Sequence, residues 1–411
     1  MPRDVKYLLI GGGIASFNAA KLIRQTDTEG SVLIVGEEPL PPYDRPPLSK
    51  EVMRGEKSID EIVFEPAGKL AEQAIDLALG VRVDALDATT QQATLSGGET
   101  VHFEKALIAT GGSPIRLPLP GADLAGVHYL RTAQDAGAIA AEARPGRHAV
   151  IIGGGFIGLK VAASLTQRGV QVTVIEALPH IWARFADASL AGYFQDYCSR
   201  EGVTFRTNET VTELRGEGRV GAVALRGGDV LACDFVCIGV GIRPNVELAQ
   251  AAGLEVDNGI VVDDYLRTSN PEIYAAGDVI NYPDATFGKR RRVEHWGHAE
   301  YTGQVAGRNM AGEPTPYSFL TYVWSDIFDL HLEFAGDEGE RDEVLLRGRY
   351  EDNKFTVLYL KEDRLTAYFA LNTPAREYGI LRRFILTKKD IGGHKAELQD
   401  PSFELRSLLQ P

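Results

Sequence analysis

Cysteine, methionine and tryptophan are scarce: three of each among 411 residues. The cysteines are Cys198, Cys233 and Cys237, and no two make a C-x-x-C pair. A disulfide framework and a thiolate metal site are therefore not expected, and no other metal site is expected. Cys233 and Cys237 lie in the apolar, strand-like run "LACDFVCIGVG", where buried structural thiols are the expectation. Basic side chains are in deficit, 43 against 57 acidic, for a formal charge of −14. That balance argues against a general binder of nucleic acid or anionic membrane, but leaves room for a local basic patch. No run is long and apolar enough to span a membrane. The first strand-like run begins near Val5, which leaves no room for a signal peptide, so the cytoplasm is the expected compartment.

Glycine, by contrast, is abundant at 44 residues. The length predicts two or three domains. One device occurs twice. The run "VKYLLI" (5–10) suits a buried parallel strand. Gly11, Gly13 and Ser16 follow in G-x-G-x-x-[GAS] spacing, then a helical pattern, then "SVLIVGEE" ending in Glu37 and Glu38. The second copy reads "HAVIIGGGFIG", with Gly153, Gly155, Phe156, Ile157 and Gly158, then a helical run, then "VQVTVIEA" with Glu176. A lone glycine-rich turn is weak evidence, because such turns also serve structure alone. Strand, turn, helix, strand and downstream acid together form the dinucleotide fingerprint. Its glycines let a pyrophosphate approach the unpaired N–H groups of the helix start. Two complete copies predict two bound dinucleotides, and hence a hydride relay. A carboxylate at Glu176 suits the free 2′-hydroxyl of NADH and repels the 2′-phosphate of NADPH. Arg184 follows eight residues on, either as a pyrophosphate ligand or as a surface cation.

Between the copies, "PPYDRPPLSKE" (41–51) holds Arg45 and Lys50 on a Pro-rich loop. With the N-terminal fingerprint, this resembles the single-flavin branch of the FAD/NAD(P)-dependent reductases. That branch includes oxygenase-coupled ferredoxin and rubredoxin reductases, monodehydroascorbate reductase and apoptosis-inducing factor. "ALIATGGSP" (106–114), with Ala109 and Gly111, resembles the segment closing the first FAD half. "YAAGDV" (274–279), with Asp278, resembles the second FAD motif. "CIGVGIRPN" (237–245), with Gly241, resembles the return crossover from the NAD unit. "RRVEHWGHA" (291–299), with Glu294 and His295, and "VWSD" (323–326), with Trp324, resemble the stretches beside the flavin. The same matching implies that Val83 and Arg131 contact the FAD adenosine or pyrophosphate, and that Glu333 approaches the nicotinamide. Lys50, Lys160, Glu294, His295 and Trp324 are implied at the reacting end. The disulfide-reducing relatives carry thiols where this chain reads "PPLSKE". Electrons are thus expected to leave FAD directly.

The implied fold is α/β, with two Rossmann-like domains and a small α+β C-terminal domain. The FAD-binding domain is expected over 1–115 and 241–317, the inserted NAD-binding domain over 116–240, and an antiparallel sheet with a helix over 318–411. "EVLLRGRYEDNKFTVLYLKEDRLTAYFALN" predicts three meandering strands, and "PAREYGILRRFILTKK" a helix starting at Pro374. The implied activity passes hydride from NADH to FAD and then electrons to an acidic iron–sulfur carrier such as a ferredoxin. Quinone or small-radical reduction and an apoptosis-inducing-factor-like redox sensor are the alternatives. The chain is expected as a monomer or homodimer. "GKRRR" (288–292) and "LRRFILTKK" (381–389) are candidates for a basic docking rim, or simply for a solvated surface. At position 160 the family commonly has a glutamate paired with the lysine matching Lys50. Here Lys160 either bends away to solvent or to another acid, or points inward and adds positive potential at the flavin.

Overall fold

A computed structural model describes residues 3–183, 186–339 and 341–409. Among these residues, the first sheet has seven strands. Its parallel part runs in the order Ile75–Leu79, Val32–Gly36, Arg3–Ile10, Thr100–Ile108, with Ile273–Ala275 beyond. The register pairs Leu8 with Leu33 and with Ala106. Leu8, Leu9, Leu33 and Ile34 are fully buried, as central parallel strands covered on both faces require. The helix Ile14–Thr26 covers one face and is itself covered by the helix Trp296–Met310. Those helices touch through glycines. A Cβ on Gly303 would lie 2.3 Å from the Ala15 carbonyl oxygen, and one on Gly307 2.5 Å from that of Ala19.

The second sheet repeats the parallel plan: Val203–Thr207, Gln171–Glu176, His148–Ile152, Phe235–Ile238, Val127–Tyr129. The chain crosses between the units at Gly112–Pro114 and returns at Ile242–Pro244, and these two segments pair antiparallel.

The C-terminal sheet orders its strands Tyr322–Ile327, Leu330–Gly336, Arg364–Leu371, Lys354–Lys361, Glu343–Arg349. The meander over 343–371 follows the expected pattern, and the helix Ala375–Thr387 starts directly after Pro374. The hairpin Tyr322–Gly336 was not expected; its mixed polar sequence hides the period-2 pattern. One face packs Phe355, Val357 and Phe369 into a core shared with Trp182 and Phe194 of the second unit. The other face packs Leu358 and Tyr368 beneath Leu381, Phe384 and Ile385 of the helix. Burial on both faces, at roughly 1.5–3 kcal/mol per large apolar side chain, fixes this sheet against the second unit. No helix among the described residues is long and apolar enough to cross a membrane.

Candidate active site

The two glycine turns match hydrogen bond for hydrogen bond. Gly11 N–H donates to Val35 and Gly153 N–H to Ile175, each at 2.8 Å. Ala109 N–H donates to Ile10 and Gly239 N–H to Ile152, again at 2.8 Å. Gly11 and Gly153 have φ of +120° and +108°, and a Cβ on either would strike a carbonyl oxygen across the turn. Only glycine suits both demands. Gly13 and Gly155 cap the following helices without a side-chain hydrogen bond, so those N–H groups are open to an anion.

The first turn opens into a cleft of about 2020 Å³, beyond the ~300–1,000 Å³ of an ordinary small-molecule pocket. Gly11, Gly13, Glu37, Glu38, Arg45, Val83, Ala109, Gly111, Arg131 and Asp278 line it. Glu38 is already engaged, by Arg45 at 2.8 Å and the Tyr43 hydroxyl at 2.6 Å, whereas Glu37 is exposed at the rim. Arg131 Nη2 meets Asp278 Oδ2 at 3.0 Å. Nothing lies within 4 Å of a Cβ built on Gly13, so the cleft reaches the turn itself. Ser16 does not line the cleft. It is buried, where the helix packs on the sheet, with its hydroxyl unpaired among the described residues.

Charged groups crowd the inner end. Lys50, Lys160, Glu294, His295, Trp324 and Ile157 all line it. Lys160 thus points into the cleft and not away to solvent. The Pro-rich loop is held on the second unit's helix, Phe156–Gln167, by Ser164 Oγ donating to the Ser49 carbonyl at 2.7 Å. That puts Lys50 beside Lys160. Lys50 finds its acid elsewhere: Asp326 Oδ2 lies 3.1 Å from its Nζ, and the Trp324 ring centre lies 5.1 Å away. Asp326 Oδ1 meets His331 Nδ1 at 2.7 Å. Burial first, then the Lys50 charge, pull the Lys160 pKa down to about 8. Burial pulls that of His295 down to about 4, with Arg291 and Lys160 adding to the shift. His295 Nδ1 is buried without a partner among the described residues. Burial raises the Glu294 pKa against the opposing pull of Arg292. Asp326 and His331 escaped the sequence reading. Asp326 stood in the quoted "VWSD", but its contact with Lys50 spans 276 positions.

The second turn lies outside this cleft, as do Gly153, Gly155, Phe156, Gly158, Glu176 and Gly241. Glu176 accepts from Gly154 N–H at 2.7 Å and Leu178 N–H at 2.9 Å. Phe156 packs on Trp182 with ring centres 4.8 Å apart. Arg184 lies outside the described residues. Glu333 does not line the cleft; it is buried, accepts a short hydrogen bond from the Tyr368 hydroxyl, and has Arg382 at 4.0 Å. The stretch 288–292 is not a free basic rim. Lys289 pairs with Asp337, Arg291 with Asp284 and Arg292 with Glu294, while Arg290 donates to the Val262 carbonyl. All three cysteines are buried. Burial raises each thiol pKa, that of Cys198 to about 12 and that of Cys233 to about 11.

A glycine turn opening on a long cleft, joined to a second such turn, defines a two-dinucleotide flavoprotein fold. The family model "Pyridine nucleotide-disulphide oxidoreductase" matches residues 5–303, and "Reductase C-terminal" matches 322–409. The chain belongs to this oxidoreductase family, and it binds FAD and NAD(H). It is 34% identical to rhodocoxin reductase of Rhodococcus erythropolis over 98% of this chain and 94% of that one. It is 36% identical to the ferredoxin–NAD(+) reductase component of the anthranilate 1,2-dioxygenase system of Burkholderia cepacia, over 98% and 99%. The crystal structure of a covalent putidaredoxin reductase–putidaredoxin complex matches with a TM-score of 0.94 and 29% identity, covering 98% of each chain.

Proposed function

We propose that this enzyme passes electrons from NADH, through FAD in the cleft, to an acidic iron–sulfur protein of the ferredoxin kind. One observation carries the reading. The cleft that starts at the first glycine turn ends on Ile157 and Lys160, which belong to the helix of the second turn. A dinucleotide lying along it therefore meets the other dinucleotide's domain. FAD supplies a ring that accepts hydride from NADH and releases electrons one at a time.

The chain's own residues bind and orient. The N–H groups after Gly13 and Gly155 face the two pyrophosphates. Glu37 is the free acid for the FAD ribose, and Glu176 takes the NADH ribose and disfavours NADPH. Arg45, Val83, Ala109, Gly111, Arg131 and Asp278 line the FAD path. Lys50, held by Asp326, sits at the reacting end with Glu294 and a neutral His295. Trp324 lines the cleft yet is 44% exposed, an apolar surface where a protein acceptor can come close. Arg383, Lys388 and Lys389 make no ion pair among the described residues and offer positive charge to an acidic carrier. The relatives named as reductases of ferredoxin, rubredoxin and rhodocoxin support this acceptor class. We assign 1–115 and 241–317 to FAD, 116–240 to NADH and 318–411 to the C-terminal domain, because the paired crossover strands mark the insertion.

Steady-state cytochrome c reduction tests the reading. NADH turnover that rises steeply on adding a ferredoxin is expected. Equal turnover with a quinone alone would overturn the protein-acceptor assignment.

A further inference from the structure

Lys160 projects into the inner end of the cleft without a hydrogen bond or ion pair among the described residues. Its charged surroundings come from three other elements. The 46–54 segment presents Lys50, with Glu51 and Arg54 behind it. The Tyr322–Gly336 hairpin presents Asp326 and His331. The segment leading into the Trp296–Met310 helix presents His295 and Glu294, the latter paired with Arg292, with Arg291 upstream. Asp326 is the acid of this group that reaches Lys160, and both its oxygens are taken: Oδ2 by Lys50 at 3.1 Å, Oδ1 by His331 at 2.7 Å. Lys160 therefore has no ion-pair partner of its own among the described residues, and faces the inner end of the cleft.

We propose that Lys160, where it is neutral in the oxidised protein, takes up a solvent proton as the bound FAD is reduced, and so neutralises the charge that hydride transfer delivers. The proposal rests on FAD occupying the cleft as read above. Charges and atoms balance. NADH loses hydride and becomes NAD+, FAD gains that hydride and one negative charge, and one solvent proton binds the neutral Lys160 Nζ. With its pKa drawn down to about 8, Lys160 is neutral above that pH in the oxidised protein and able to accept. Below that pH it already carries the proton.

The test is the pH dependence of the two-electron midpoint potential of the FAD-loaded protein, by dye equilibration, for the wild type, Lys160→Gln and Lys160→Arg. One proton per two electrons changes the equilibrium tenfold per pH unit, or ~30 mV. Above about pH 8 the wild-type slope is expected to be steeper than both variants by that amount. Below it the three slopes converge. Arginine keeps the charge and cannot give up its proton, so Lys160→Arg separates proton uptake from mere positive potential. Protons counted with an indicator dye on photoreduction above pH 8 give a second readout, about one more for the wild type than for Lys160→Arg. Equal slopes and equal proton counts in FAD-loaded, NADH-reducible proteins overturn the proposal alone. A protein that retains no FAD overturns the functional reading beneath it.

Discussion

The two glycine turns share a backbone and differ in what covers them. At the first, the chain leaves the turn open to a large cleft, and the neighbouring helix is sealed by a second helix through Gly303 and Gly307. At the second, the connection after Gln171–Glu176 folds back. Trp182 N–H donates to the Gly154 carbonyl at 3.1 Å, and Ile181 would lie 2.9 Å from a Cβ on Gly154. The helix of the second turn is then covered by the Pro-rich loop and the C-terminal hairpin, which bring Lys50 and Asp326 to Lys160. One turn thus opens on a cleft, while the helix of the other delivers a charged face to that cleft's far end. The shared hydrogen bonds fix the turn, and the cover decides its use.

Breaking each turn separately should separate the two roles most strongly. Gly11→Ala places a Cβ 2.2 Å from the Ala109 carbonyl at a φ of +120°. Overpacking and backbone strain each cost roughly 1–3 kcal/mol, so FAD affinity should fall about a hundredfold or more, read by flavin retained after gel filtration. Gly158→Ala places a Cβ 2.1 Å from the Gly153 carbonyl. It should keep its flavin while NADH binding weakens by about tenfold to a hundredfold, read by stopped-flow reduction. Loss of FAD from the second variant but not the first would reverse the assignment of the turns.

The next contrast is the counter-ion. Asp326→Asn removes the acid from Lys50, and a half-exposed charged contact of this kind is worth roughly 1.5 kcal/mol. Flavin reduction should slow by about tenfold with NADH affinity nearly unchanged. An unaltered rate would leave Lys50 without need of its partner. Glu176→Ala should narrow the preference for NADH over NADPH; because Glu176 also holds Gly154 N–H, NADH binding should weaken as well. Equal efficiency of the two nucleotides in the wild type would remove this role. Lys160→Glu gives Lys50 an acid where Lys160 stands. If the charge change is worth about 2 kcal/mol, the potential should fall by roughly 40 mV. A rise would exclude positive potential from Lys160. The smallest effect is expected from replacing Cys198, Cys233 and Cys237 together by Ala. Their burial and raised pKa values leave no ready thiolate, so the flavin reduction rate should stay the same in a folded, FAD-loaded protein.

Much of this was legible in the linear sequence, because it depends on local backbone geometry. Gly11 and Gly153 follow apolar strands and precede helices, and that order alone demands the turn. The meander over 343–371 announced itself by polar turns between apolar runs. Of the two readings of the basic stretch 288–292, the free rim fails on pairs both near and far: Asp284 lies across the same hairpin, Glu294 two residues beyond Arg292, and Asp337 on a distant segment. Glu333 lies on the strand Leu330–Gly336, where the Tyr368 hydroxyl of the directly paired strand Arg364–Leu371, 35 positions on, claims its carboxylate.

Local spacing by itself determined two dinucleotide turns, the acids after them, the absence of a thiol in the Pro-rich loop and a lysine at position 160. Those features follow from bond geometry and side-chain identity within some thirty residues of chain. Only the tertiary structure decided which way Lys160 points, and that Lys50 would take its acid from Asp326, 276 positions away. Charge pairing is a matter of distance in space. Here that distance is set by the apolar packing of the C-terminal sheet on Trp182 and Phe194 of the second unit.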